Sequence, residues 1–529
     1  MRALSALALG TAICACIAAP ARAAPTGPLD QHGRWVTDAL GRTVILHGVN
    51  MVYKRPPYYP AAAGFDARDA RFLARNGFDS VRLGIIGKGL EPRPGAYDEA
   101  YLRHIAATVR TLTRRGIFVL LDFHQDMYNE RFQGEGWPDW AVQDDGLPPV
   151  PKLGFPTNYY AMPALIRAFD RFWANSRGPG GVGLQDRLAA AWRHVAARFS
   201  SERRLVGYDL LNEPWPGSAW PTCAQPLGCP PFDRGPLTTF YRRVTRRIRE
   251  VDRHTVVWYE PQVLFDFGSA TSQGGVGPHA GMSFHAYCLT PGPACDRTEQ
   301  LPFENAERQS DRTGDALLLT EFGATDDLTE IEPVVDRADR NRLGWEYWHY
   351  CPCADPTTNG PGTTQALVVD PRRPPRGANV KAAKLAVLER PYPQAVAGTP
   401  LRFSYNRATR RFSLAYSTAR PGGGSYRFRA DTQVFVPRLH YRHGYDVRAS
   451  GAEPISSPGA AHLRLRTCPR RRKVRVSVTP ARSGRPAPVS DCRARAGANR
   501  GSRRTGSRRP DDRDRVRSGA LRRGSAIIQ

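Results

Sequence analysis

Two glutamates, Glu213 in Asn212-Glu213-Pro214 and Glu321 in Leu319-Thr-Glu-Phe-Gly323, each follow directly on a short apolar run. Paired carboxylates flanking a cleft are the equipment for hydrolysing a glycosidic bond through an oxocarbenium-like transition state. One must keep a proton near neutral pH, which a second negative charge close by promotes, and the other must stay ionised to attack carbon. Asn50, Arg82, His124, His285, Tyr287 and Trp348 also stand at the ends of apolar runs. Helix capping or a surface ion pair would explain any one of these residues. Neither gives a reason for two Glu, an Arg, a His and an Asn to converge.

Convergence requires a fold in which strand ends meet. Short apolar runs alternate with longer helical patterns from residue 44 onward, the signature of a parallel sheet built from βα units. Strands are predicted at 44–49, 80–83, 118–123, 206–211, 255–259, 282–286, 316–320 and 343–347. Helices are predicted at 66–76, with Asp66 as N-cap and Gly77 as stop, and at 97–115, 188–199, 237–251 and 330–340. Eight strands in this span close most simply as a (β/α)8 TIM barrel, whose reacting groups sit at the carboxyl ends of the strands. An open doubly wound sheet is disfavoured because no glycine-rich phosphate loop follows the first strand.

The interval 124–183 has no strand signal yet holds ten of the chain's 51 aromatic residues. So long a loop in a compact domain is functional or disordered, and its aromatics argue for order. Part of it, 164–173, reads as a helix. Beyond about residue 384 short alternating runs at 401–405, 411–416, 426–428, 433–436, 463–465 and 474–478, punctuated by Gly, Pro and Asn, predict a small β-sandwich. The expected division is a leader at 1–23, a catalytic barrel at 24–380, a sandwich at 381–480 and a disordered basic tail at 481–529.

The formal charge of +27 on 529 residues raises nucleic-acid binding, but residues 461–529 hold 21 basic and only 4 acidic residues, so +17 belongs to this end. The end has no Phe, Tyr or Trp for base stacking, so no specific nucleic acid is expected as a partner. Its composition fits a disordered tail or out-of-frame sequence, and Cys492 in it looks unpaired. At the other end, Met1-Arg2, an Ala/Leu-rich run and Ala21-Arg22-Ala23 read as a secretory signal peptide, predicting a secreted or cell-surface protein. Eight cysteines follow the leader; Cys223/Cys229 and Cys288/Cys295 are spaced to close short disulfide loops, and the pairing of Cys351, Cys353, Cys468 and Cys492 is open. Neither a metal nor another cofactor is expected, since Cys351-Pro-Cys353 has no matching ligand pair.

The segments Tyr208-Asp-Leu-Leu-Asn-Glu-Pro214, Phe284-His-Ala-Tyr287 and Leu319-Thr-Glu-Phe-Gly323 resemble the signature strands of glycoside hydrolase family five, the cellulase-like family of retaining enzymes. Asp122-Phe-His-Gln-Asp-Met-Tyr-Asn-Glu130, Phe132-Gln-Gly-Glu-Gly-Trp-Pro-Asp-Trp140 and His47-Gly-Val-Asn-Met-Val-Tyr-Lys54 are similar to its endoglycoceramidase branch. The resemblance spans roughly residues 30–480 and has no counterpart for the arginine-rich end. It implies Glu213 as general acid/base and Glu321 as nucleophile, with Arg82 and Tyr287 donating to Glu321 and Asn212 holding the sugar 2-hydroxyl. His124, Asp126 and His285 are implied as sugar-site residues and Trp348 as a stacking floor. Lys54 and Trp173 are further candidate contacts.

The implied substrate is a glycosphingolipid, cut between its reducing-end sugar and ceramide, with the aromatic interval forming a dry wall for the lipid. The same residues would serve a polysaccharide hydrolase or a steryl-glucosidase. A non-catalytic basic surface-binding protein is the reading of another class. A monomer making transient contact with a membrane surface is expected.

Overall fold

The computed structural model describes residues 24–288, 293–358, 362–426, 430–481 and 488–492. The expected leader and most of the expected basic tail lie outside the described residues, as does most of the expected 426–428 run. Eight parallel strands close into a barrel: β1 (His47–Met51), β2 (Ser80–Ile86), β3 (Phe118–His124), β4 (Leu205–Asp209), β5 (Val257–Tyr259), β6 (Ala280–Ala286), β7 (Ala316–Phe322) and β8 (Gly344–Tyr347). The first predicted strand is split, because Thr43–Val44 pairs outside the barrel and β1 begins at His47. Strand β2 runs on to Ile86, so Arg82 lies within the barrel rather than at a strand end.

The helices begin where the sequence supplies caps. Asp66 accepts from the Arg68 N–H, and Asp69 reaches back to the Asp66 N–H at 2.7 Å, closing a capping box ahead of the helix Ala67–Arg75. Asp98 and Asp327 cap the helices Glu99–Thr113 and Leu328–Asn341 through their own side-chain oxygens, without a box. Leu46, Phe118, Leu120, Val206, Trp258 and Leu318 fill the barrel's lower end. Trp258 leaves room there only for glycine, since a Cβ on Gly281 would meet its ring at 2.4 Å. Above this apolar floor the filling turns polar, with Arg82, Asp122, Asp209, Ser283 and Glu346 all buried. The floor therefore seals the base of the site and fixes the charged layer at the mouth.

Beyond the barrel, two sheets form the predicted sandwich. One has five strands: β9 (Thr399–Asn406), β10 (Arg411–Ser417), β11 (Tyr445–Ser450), β12 (Lys473–Pro480) and β13 (Pro488–Ser490), ordered β9-β10-β12-β11-β13. The other combines Tyr392–Val396, Thr432–Phe435, Ala452–Pro454 and His462–Thr467 with three strands that precede the barrel, Asp30–His32, Trp35–Thr37 and Thr43–Val44. The sandwich thus takes in residues from before the barrel and passes the expected limit at 480. Cys492 is bonded to Cys468, a correction to its unpaired reading. Cys223–Cys229 and Cys288–Cys295 are bonded as their spacing suggested, and Cys351 is bonded to Cys353. Among the described residues no helix is long and apolar enough to cross a membrane.

Candidate active site

Glu213 follows β4 and Glu321 lies near the end of β7, and both line one cleft of about 460 Å³ at the barrel mouth. Glu213 holds a left-handed backbone, φ 42°, which costs a residue bearing a Cβ and survives only where its neighbours over-determine it. Here its N–H donates to Glu260 Oε2 at 2.7 Å, while the Gln125 amide donates to the carbonyls of Asn212 and Glu213 at 2.9 and 3.1 Å. The turn thus aims the carboxyl into the cleft.

The two carboxylates differ in their partners. Glu321 accepts from Arg82 Nη1 at 2.5 Å and from the Tyr287 hydroxyl at 2.9 Å, one donor on each oxygen. Both donors favour its ionised form. Glu213 contacts His285 Nδ1 at 2.8 Å, and the other nitrogen of the same imidazole lies 3.7 Å from Glu321. His285 therefore bridges the pair. Burial, with Glu213 opposite, pushes the Glu321 carboxyl up to about 7 against the pull of His285 and Arg82. The sequence reading placed the raised carboxyl on the acid; in the structure the upward push falls on Glu321.

Arg82 organises the layer beneath. It donates to Asp209 at 2.8 Å, to Asn212 Oδ1 at 2.9 Å and to Glu260 at 2.7 Å, besides Glu321, and Asp122 is 3.0 Å away. Arg82 and His285 are fully buried behind the two glutamates; Arg82 donates to Glu321 as the resemblance implied, and His285 is corrected from a sugar-site residue to a contact of both glutamates. Asn212 donates one N–H to the Gln125 carbonyl at 3.1 Å, which leaves its second N–H for a substrate hydroxyl.

A second polar cluster forms the wet end. Lys54 donates to Asp126 at 2.5 Å and to Thr357 at 2.7 Å, lies 3.3 Å from Asp355, and stands 4.6 Å above the Trp348 ring. Burial opposes the charge on Lys54, but Asp126, Asp355 and Glu135 together hold its pKa well above the usual lysine value. His124 pairs with Asp122 at 2.7 Å and stacks against Trp348 at 5.2 Å. Burial again opposes its charge, and Asp122 outweighs it, carrying the imidazole up to about 10. The Trp348 indole N–H is fixed by Gln365 at 3.0 Å. His124, Asp126 and Glu135 approach as metal ligands would, but the Lys54 ammonium already sits among them, which supplies the cation such a group calls for.

Lys54, Asp126, Tyr287 and Trp348 line the cleft with the glutamates, whereas His124 and Asn212 stand directly behind them. Trp173 does not reach the cleft. Its indole donates to the Trp215 carbonyl at 2.7 Å, and its ring packs on Phe232 and Phe240. Phe155, from the same aromatic interval, lies in the cleft wall instead, with Tyr159, Tyr160, Trp215, Val263 and Phe267. Sequence reasoning also missed Glu260, although it directly follows β5 as the other site residues follow theirs. It missed Asp355, Thr357 and Gln365 as well, which come from an irregular segment after β8.

The family model "Cellulase (glycosyl hydrolase family 5)" matches residues 37–354, and the family 5 C-terminal domain matches 390–479. The chain is similar to endoglycoceramidase I of Rhodococcus hoagii, 33% identical over 460 residues, covering 83% of this chain and 85% of that protein. It is 28% identical over 444 residues to an endoglycoceramidase of Cyanea nozakii, covering 78% of this chain and 84% of that protein. The solved endoglycoceramidase II of Rhodococcus sp. in complex with ganglioside GM3 superposes with a TM-score of 0.70 at 30% identity, covering 84% of this chain and 99% of that one. With both family regions matched and the two glutamates facing one cleft, the chain belongs to glycosyl hydrolase family 5.

Proposed function

We propose that the protein is a retaining glycosidase that releases an intact glycan from a glycosphingolipid by cutting the β-glycosidic bond to ceramide. The observation that carries this reading is the mixed lining of the cleft. Lys54, Asp126, Thr357 and Trp348 supply hydrogen bonds and a stacking surface, and Phe155, Tyr159, Tyr160, Trp215, Val263 and Phe267 supply an apolar wall. The apolar wall adjoins Glu213 through Trp215 and Tyr160, where the leaving group must depart. An amphiphile with a sugar head and a lipid leaving group suits that polarity. Similarity to proteins named endoglycoceramidase along most of the chain supports the same substrate class.

In this mechanism Glu213 protonates the glycosidic oxygen as Glu321 attacks the anomeric carbon, which forms a glycosyl ester and frees ceramide. Glu213 then takes a proton from water, whose oxygen attacks the anomeric carbon and frees Glu321. Arg82 and Tyr287 stabilise the Glu321 anion before attack and after release. Asn212 is placed to donate to the sugar 2-hydroxyl, a contact that strengthens in the transition state.

Export is part of the proposal: the amino-terminal sequence has the pattern of a signal peptide, and four bonded cysteine pairs suit an oxidising compartment. The test is product analysis on lactosylceramide, glucosylceramide, a steryl glucoside and a soluble β-glucan. Intact lactose with free ceramide is expected, and Glu321→Gln abolishes it. Turnover of the β-glucan alone overturns the substrate assignment, and wild-type turnover by Glu321→Gln overturns the nucleophile.

A further inference from the structure

The outer face of the five-stranded sheet carries a cluster of cations that the glycosidase site does not use. In one row across the sheet Arg402 lies opposite Ala415, Ala415 opposite Arg475, and Arg475 opposite Ser450. In the next, Ser413 lies opposite Ser477, Ser477 opposite Arg448, and Arg448 opposite Val489. Side chains alternate along a strand, so this face is turned away from the core filled by Phe403, Phe412, Leu414, Val447, Val474 and Val476.

Arg402, Arg411, Arg448 and Arg475 are exposed around a shallow groove of about 720 Å³, with exposed Lys473 beside them. None of the four arginine side chains has an ion pair or hydrogen bond to a described residue. Some exposed arginines elsewhere are paired with acids, as Arg171 is with Asp145 and Arg193 with Glu250; here four without such a partner share one face. The acid at the groove's edge, Asp491, is already taken up by Ser450, the Gly451 N–H and Arg471; Asp446 lies at the far end, opposite Thr479. Like charges gathered on one face repel, so the arrangement favours an anionic partner.

The face has no aromatic side chain, so it lacks the stacking surface that a sugar chain or a nucleic acid base would use. The sheet that bears it is tied to a helix beside the cleft. Arg407, in the β9–β10 turn, pairs with Glu332 at 3.0 Å, in the helix that carries Glu330 into the cleft lining. We propose that this arginine face is a docking surface for the anionic headgroups of a lipid bilayer, placing the cleft at the surface that holds its substrate. The proposal rests on the glycolipid reading of the cleft.

The test is sedimentation of the full chain with vesicles of phosphatidylcholine alone or with phosphatidylglycerol added, comparing the parent with Arg402→Gln/Arg448→Gln/Arg475→Gln. Each basic residue near an anionic membrane contributes roughly fivefold to binding, so the triple variant is expected to bind anionic vesicles about 100-fold more weakly. Hydrolysis of detergent-dispersed lactosylceramide should be unchanged, which also shows that the variant is folded. If it does not fold, the double variant Arg448→Gln/Arg475→Gln carries the same test, with a loss of about 25-fold.

Equal binding by parent and variant, or equal binding to neutral and anionic vesicles, overturns the proposal. So does parent binding to heparin or polygalacturonate without vesicle binding, which would assign the face to an acidic polysaccharide. Failure of the glycolipid reading appears separately, as absence of ceramide release from the detergent-dispersed lipid.

Discussion

Glu213 and Glu321 are the same side chain placed in two settings, and the difference divides their labour. Glu321 has a cation and a phenol on its oxygens, whereas Glu213 faces an imidazole and the leaving-group side of the cleft. Attack on carbon requires an ionised Glu321, and burial with Glu213 opposite holds its carboxyl up at about 7, so the competent form is lost as pH falls through that value. kcat/KM on lactosylceramide is therefore expected to fall about tenfold per pH unit below about 7. The same acidic limb is expected for an activated aryl lactoside, whose leaving group needs no proton, and Glu213→Gln, which removes the opposing charge, should move that limb to lower pH. A limb that stays in place in that variant would assign the titration to another group.

At the scale of elements, the proposed function assigns the aromatic interval to the leaving group and the strand ends to the sugar. Phe155→Ala with Tyr160→Ala removes apolar surface worth roughly 1.5–3 kcal/mol per side chain. On lipid substrates kcat/KM is expected to fall by at least about tenfold, while a soluble aryl lactoside keeps its rate; an equal loss on both would place these rings in the sugar site. The strand ends were legible in sequence because a buried parallel strand is a continuous apolar run and its first polar successor marks the mouth. Arg82 was misplaced because Gly84-Ile85-Ile86 prolongs the run beyond it. Glu260 obeyed the rule and was passed over. Trp173 and Phe155 could not be told apart, because choosing between them requires the packing of Trp173 on Phe232 and Phe240. Thr357 meets Lys54 across 303 positions, from a segment with no periodicity to announce it.

At the scale of the molecule, barrel and sandwich share their support. Tyr392 of the sandwich stacks on His47 of β1 at 3.6 Å, and Arg390 pairs with Asp336 and Asp339 on a barrel helix at 2.6 and 2.8 Å. Calorimetry is accordingly expected to give one unfolding transition rather than two. Several carboxyls buried in this body sit far above their unfolded range: Asp79 at about 7, Glu346 at about 8 and Glu389 at about 8, each through burial. Since such groups hold protons more tightly folded than unfolded, their contribution is full below the unfolded values near ~4 and is lost as pH rises through the folded ones. The melting temperature should thus decline from pH 5 to pH 9. Glu346, whose carboxyl is bonded to Ser80 inside the barrel, offers the cleanest probe. Glu346→Gln keeps the shape and a polar group for Ser80 but cannot ionise, so it removes up to about 1.4 kcal/mol per pH unit from the slope and makes the variant the more stable protein above pH 8. A variant whose melting curve tracks the parent's across that range would show that Glu346 does not titrate in the folded barrel.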